Sequence, residues 1–362
     1  MADQSERRLY TIRNAEAYSQ GESKKDQTVY EYEVFTEVPI IGEFVFGPVS
    51  LSTWDTEAPP LGSRRSLVLR LADCLDIKSR PAKPTKGGFY HGFDLPTEFC
   101  TLATVLLRRR VLLGPVLRID DEAIRYSSQP HPQNPYLTKG EIDPGLLTSR
   151  FEDLLRLPFE YHEAFILACR MYQEAIMAID DKPDIAYLLL VSAVEVFVAK
   201  FMPRTSEDEL STDLVQALAK CDPEPRKILL RRILELDRGI SRNFVSFVTA
   251  HVADDFWLQS PKISADQGRV SREELPELLK RIYNQRSKTL HEAEPFPPNV
   301  LAPPNNDTEI DRRPEITVGQ RKWTQPQFVP YVRFFERLVQ HVLVTFLKIK
   351  SEAPVEEEAG RR

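Results

Sequence analysis

The stretch DIAYLLLVSAVEVFVAKF, residues 184–201, decides the fold. Between Ile185 and Ala199 its only charged residue is Glu195. A helix apolar on every side is buried at the centre of its domain. A membrane span needs about 20 apolar residues, and this run is shorter and carries a carboxylate. The pattern therefore predicts the central helix of a soluble bundle. Glu195 falls on the stripe of Leu188, Val191, Ser192 and Ala199.

Working outward, helical periodicity recurs at roughly 159–179, 211–238, 241–257, 272–292 and 326–350, which predicts an all-α bundle over residues 146–350. A long loop, PFPPNVLAPPNNDTEIDRRPEITVGQ, separates the last two segments. Upstream, SSQPHPQNPYLTKGEIDPG (127–145) has four prolines and no period, and reads as a linker. Residues 27–126 form a small α+β domain. TVYEYEVFTEVPIIGEFVFGPVSL and RRSLVLRLADCLDI carry strand signals. In TEFCTLATVLLRRRVLLGPVLRID the first half is helical and Gly114-Pro115 is expected to break the element. Residues 1–26 and 351–362 are polar or charged and are expected to be disordered.

The chain has 362 residues, a net charge of −6, 28% charged and 42% hydrophobic residues, enough for a sizeable core. That charge argues against a general nucleic-acid coat, but leaves room for a local basic groove. Four separated cysteines without a C-x-x-C pair suit free thiols in a reducing compartment. With no apolar signal in MADQSERRLY, the expected location is cytoplasmic. No H-E-x-x-H pair or metal cluster is visible, so no metal or cofactor is expected.

A second stretch, RIYNQRSKTLHEAEPFPP (281–298), contains an oddity. Leu275, Leu278, Leu279, Ile282 and Tyr283 mark one buried helical face. Arg286 is the next position on it, and Leu290 follows. An arginine there needs a partner, since a buried unpaired charge costs several kcal/mol. Glu195 has the opposite need. One reading is a structural ion pair between two helices. The other adds His291, about 140° around the helix from Arg286 and about 7.5 Å along it, with prolines at 295, 297 and 298 ending the helix soon after. Arg125 to His131 and Arg156 to His162 show similar spacing, but neither arginine lies on an apolar helical face.

DIAYLLLVSAVEVFVAKF early and RSKTLHEA late resemble HEPN domains, particularly the Apea-like group, in which an apolar helix with a glutamate precedes a helix reading Arg-Ser-Lys-x-x-His. Glu195, Arg286, Ser287, Lys288 and His291 stand in that order, and the resemblance covers roughly residues 150–350. It implies a metal-independent endoribonuclease acting as a homodimer on RNA, in the setting of a toxin or antiviral defence effector. Arg286 would bind the scissile phosphate, His291 would move the proton, Glu195 would fix the arginine, and Ser287 would either donate to phosphate or face solvent. Glu292 stands where a glycine is frequent in the group. That departure motivates the alternative, a catalytically silent module that dimerises and binds RNA, nucleotides or a partner. The ligand of the N-terminal domain is not implied by the resemblance.

In RKILLRRILELDRG, Lys227, Arg231 and Arg238 share a stripe opposite Leu229, Ile233 and Leu236. It reads as a solvated face or as a rail for the RNA backbone, to which Lys288 would add. Arg108 to Arg110 close a helix, where cations suit the dipole. His341 lies among apolar residues and reads as a core or interface histidine; His251 ends RNFVSFVTAHV, a core helix, and is a lesser site candidate.

Overall fold

The structure, a computed structural model, describes residues 8–21, 27–36, 42–53, 66–75, 94–124, 144–202, 212–236, 239–259, 264, 266–301 and 308–352. The fold is mixed α/β, with a sheet in the N-terminal part and a mostly helical C-terminal part. The chain divides into two compact units, Met1–Ala193 with Val332–Arg362, and Val194–Tyr331.

The first unit holds α1 (Tyr10–Ser19), β1 (Thr28–Thr36), β2 (Phe44–Phe46), β3 (Val49–Thr53), β4 (Ser66–Asp73), α2 (Leu95–Leu107), β5 (Val111–Ile119), β6 (Glu122–Ala123), α3 (Pro144–Arg156), α4 (Phe159–Ala178) and the start of α5 (Pro183–Phe201). The second holds the end of α5, then α6 (Thr212–Ala219), α7 (Pro223–Leu236), α8 (Ile240–Ala250), α9 (Asp254–Leu258), α10 (Leu275–Glu292), α11 (Pro298–Leu301), β7 (Glu315–Val318) and β8 (Arg321–Thr324). The last helix, α12 (Val332–Glu352), belongs to the first unit.

In the first unit, six strands pair antiparallel in the order β2-β3-β4-β1-β5-β6. β1 is interior to the sheet, and its residues from Tyr32 to Thr36 are all buried, which explains the imperfect alternation of its sequence. Gly114-Pro115 does not break the chain: β5 runs through both. The β1–β5 register shifts between Tyr32 and Val34, an irregularity that accommodates a proline with no N–H to donate. A Cβ on Gly114 would meet Phe35 Cε2 at 2.7 Å and the Glu33 carbonyl at 2.8 Å, so this close backbone approach needs glycine. α2 starts where the Asp94 side chain accepts from the Thr97 amide at 3.1 Å.

The division of the chain departs from the sequence expectation. Phe151 of α3 packs against Phe44, Phe46 and Phe99 at ring distances of 5.2 to 5.4 Å, and Glu336 of α12 grips Arg108. These interactions put α3, α4 and α12 in one unit with the sheet, rather than in a bundle spanning 146–350. Most of the expected linker, residues 127–143, lies outside the described residues, and Pro144-Gly145 already begins α3. The expected helix 211–238 is split at Cys221-Asp222, and 241–257 is split between α8 and α9. The expected loop before α12 contains α11 and the β7–β8 hairpin. α5 is not buried all round: Ile185 is exposed and Leu188, Leu189 and Val196 are half-buried, while Ala186, Tyr187, Leu190, Val194 and Phe197 form its inner face.

The expected disorder of residues 1–26 fails at α1. Ile12, Ala15 and Ala17 are buried, and the helix start is held by two ionisable side chains. His162 Nδ1 accepts from the Leu9 amide at 3.3 Å, and Glu98 accepts from the Tyr10 amide at 3.1 Å and the Thr11 amide at 2.7 Å. A carboxylate at a helix N-terminus complements the exposed amides and the dipole. Burial pushes Glu98 up from 4.5 to about 7, against the amide donors that pull it down. Burial likewise pushes His162 down from 6.5 to about 4. An acid raised on folding stabilises the fold below its unfolded value and loses that contribution as pH rises through the folded one. For Glu98 the window is pH 4.5 to 7. His162 acts oppositely: its contribution is present above 6.5 and lost as pH falls through about 4. The stability advantage of wild type over Glu98→Gln is therefore expected to shrink between pH 4.5 and 7 by on the order of 2–3 kcal/mol. Thermal melts of both proteins across that range check it; a constant difference refutes it.

Candidate functional site

Glu195 and Arg286 both belong to the second unit, where α10 packs against α8. Leu275, Leu278, Leu279 and Ile282 supply the buried face of α10, as expected from their spacing. Phe244 of α8 is fully buried and lies 5.5 Å from the Tyr283 ring, while Phe247 stacks on Phe197 of α5 at 5.6 Å. These aromatic pairs bring the end of α5 alongside α8 and α10 within this unit.

Arg286 Nη2 donates to Glu195 Oε2 at 2.8 Å, with 20% and 18% of the two side chains exposed. The pair thus sits at the rim of the apolar face rather than inside it. Leu290, expected to continue that face, is exposed. Gln285 is buried in its place, donating to the Pro295 carbonyl at 3.0 Å and to Thr289 Oγ1 at 3.2 Å. The reason is the helix end: Ala293 is left-handed at φ 55°, the amide of Glu294 returns to the Lys288 carbonyl at 3.3 Å, and the chain doubles back over Gln285.

Tyr283 completes the cluster. The Arg286 guanidinium lies 5.9 Å from its ring centre. Burial, then the Glu195 carboxylate, pushes the tyrosine up to about 12, while Arg286 pulls it the other way. Arg286 Nε is buried and has no hydrogen-bond partner among the described residues. The guanidinium is therefore anchored through one nitrogen, with donor capacity left over.

His291 and Glu292 occupy the last turn of α10 and are exposed, and Ser287 is half-buried. By helical geometry His291 is turned about 140° from Arg286. Lys288 is exposed with its Nζ 3.8 Å from Glu294, which also takes Arg321 at 3.4 Å. Part of the positive charge read along this helix is thus offset by an acid that its sequence pattern does not flag.

The basic stripe of α7 is described only in part. Lys227 is exposed and pairs with Glu224 at 3.4 Å. The side chain of Arg231 and all of Arg238 lie outside the described residues, as do the side chains of Ile233 and Leu236. Leu229, expected inward, is exposed, as is Ile228. Arg108 and Arg110 engage Glu336 and Asp180 instead of merely ending a helix. His162, from one of the spacing decoys, is the cap of α1. His251 Nδ1 bonds the Phe247 carbonyl at 2.8 Å, and His341 is half-buried beside Thr345.

No helix among the described residues is long and apolar enough to cross a membrane. No family model matches the chain, and neither a curated protein nor a solved structure matches it.

Proposed function

We propose that the chain is a metal-independent endoribonuclease of the HEPN type, working as a homodimer in a toxin or antiviral role. The observation that carries the reading is the Glu195–Arg286 hydrogen bond of 2.8 Å, made on the helix that ends in an exposed His291. The chemistry balances without a metal. His291 takes the proton of a ribose 2′-hydroxyl, and that oxygen attacks the adjacent phosphorus. The bond from phosphorus to the 5′-oxygen breaks, and the leaving oxygen takes up a proton. The products are a 2′,3′-cyclic phosphate and a 5′-hydroxyl. Arg286 offsets the charge that builds on the phosphate oxygens, and Glu195 holds its rotamer as a positioning residue.

A second reading rests on the acids near the histidine. Glu292 is exposed beside His291, and Glu294 engages Lys288. These carboxylates would repel a phosphate and suit a silent binding module. Incubation of the purified protein with total RNA in EDTA separates the two. The ribonuclease reading expects degradation by wild type and none by the Arg286→Ala, His291→Ala double variant. Equal degradation by both, or none by either, overturns it.

A further inference from the structure

A cavity of about 430 Å³ lies between the first two turns of α8 and the middle of α10. Gly239, Ser241, Arg242 and Ser246 line one side, and Lys280 and Asn284 line the other. The described lining holds two cationic residues, two serines, one asparagine, one glycine and the apolar Ile240 and Val245, and no carboxylate. Glu277 lies 3.8 Å from the Lys280 Nζ, and both of those side chains are more than half exposed. An exposed pair of that kind exchanges readily with a competing anion. Arginine, lysine, serine and asparagine residues around one concave site suit the oxygens of a phosphate group.

The place of this cavity on α10 gives it meaning. At 100° per residue, Lys280, Asn284, Ser287 and His291 fall within about 60° of one another, on one stripe of the helix. All four are exposed or half-buried. Asn284 precedes His291 by about 10.5 Å along the axis, and Lys280 precedes it by about 16.5 Å. Arg286 lies off this stripe, about 120° from Lys280. A strand laid along the exposed stripe would pass from the cavity to the imidazole. One reading of the α7 charge stripe is an RNA rail; the exposed stripe of α10 offers a different track.

We propose that the cavity between α8 and α10 is a phosphodiester subsite, holding the RNA backbone a few nucleotides from the bond presented to His291. This rests on the ribonuclease reading, whose failure the same experiment detects separately.

The probe is a fluorescein-labelled 2′-O-methyl oligoribonucleotide, which binds but lacks the attacking hydroxyl. Its affinity for the full chain is measured by anisotropy over a range of KCl concentrations. Arg242→Gln combined with Lys280→Gln is compared with wild type and with a charge-matched control, Arg70→Gln with Arg118→Gln on the sheet. Circular dichroism and thermal midpoints confirm that all three proteins are folded. The cavity variant is expected to bind about tenfold more weakly at low salt, with a salt slope shallower by about one for each phosphate no longer neutralised. The control keeps the wild-type slope. A cavity variant that binds like the control, or a wild type that does not bind the probe, overturns the subsite. Cleavage of the unmodified oligonucleotide, by wild type and by His291→Ala, reports on the catalytic reading alone. Binding that depends on the cavity without any cleavage would retire the nuclease and leave a phosphate-binding module.

Discussion

Glu336→Ala is expected to destabilise the sheet-containing unit by about 3–5 kcal/mol, the range for removing one partner of a buried ion pair. Glu336 has no exposed surface. It accepts from Arg108 Nε at 2.9 Å and Nη2 at 2.6 Å, and from the Tyr172 hydroxyl at 2.5 Å. Alanine would strand a guanidinium that is 18% exposed and a tyrosine hydroxyl inside a fully buried side chain. It would also release the clamp on Arg108, whose backbone is left-handed at φ 53°, a conformation disfavoured for a residue with a Cβ. A fall of about 10 °C in the melting midpoint follows from the usual scaling for a unit of this size. Glu336→Gln keeps the shape and one acceptor, and should lose less. A midpoint for Glu336→Ala within about 2 °C of wild type would contradict the expectation. By contrast, Glu195→Gln should cost less than about 1 kcal/mol, because the amide oxygen still accepts from Arg286 Nη2 and the Glu195 carboxylate, unlike that of Glu336, is partly exposed. The two guanidinium groups are about equally buried; the carboxylates differ, with Glu336 fully enclosed and Glu195 partly exposed.

That difference also shows what the sequence could reveal. Glu195 and Arg286 stood out because each interrupts an apolar helical pattern, and unlike charges in such surroundings have few ways to be satisfied. Arg108 and Glu336 are expected to do more for stability, yet Arg108 sits in a basic run at a helix end and Glu336 near the start of an amphipathic helix, where charges are ordinary. Their partnership spans 228 residues and belongs to tertiary packing alone. The body of each long helix was legible: residues 159–179 were expected and Phe159–Ala178 form α4. The breaks were less so. Pro223 starts α7 and splits the expected helix 211–238, a signal that the Leu-rich flanks overrode. The hairpin left a signal too. Val318 pairs with Arg321 across Gly319-Gln320, and Gly319 has φ 60°, as a tight two-residue turn requires. α1 left almost none, because its caps come from residues 98 and 162. Domain division failed for the same reason as the Arg108 pairing: Phe151 and Glu336 choose their neighbours through the fold, not through local sequence.

On the ribonuclease reading, His291→Ala is expected to slow RNA cleavage by about 10²–10⁴-fold, the usual contribution of a positioned general base or acid. The residue is exposed at the end of α10, so the variant should melt like wild type. Loss of rate without loss of fold is the signature that separates catalysis from structure. Arg286→Ala should cost about 10²–10³-fold, as for other single donors to developing anionic charge. Arg286→Lys should recover little of this: an ammonium cannot hold Glu195 with one nitrogen and offer a second, fixed nitrogen to a phosphate. Glu195→Gln should lower the rate more mildly, since the amide oxygen still accepts from Arg286 Nη2 and only the rotamer's restraint weakens. If the arginine and the imidazole serve one phosphoester, their losses will not add, and the double variant will be little slower than the worse single one. Single-turnover cleavage of one oligoribonucleotide by wild type and these variants measures all of this. Full addition of the two losses would mean that Arg286 and His291 act on separate events, and a His291→Ala rate within about threefold of wild type would remove the imidazole from the reaction.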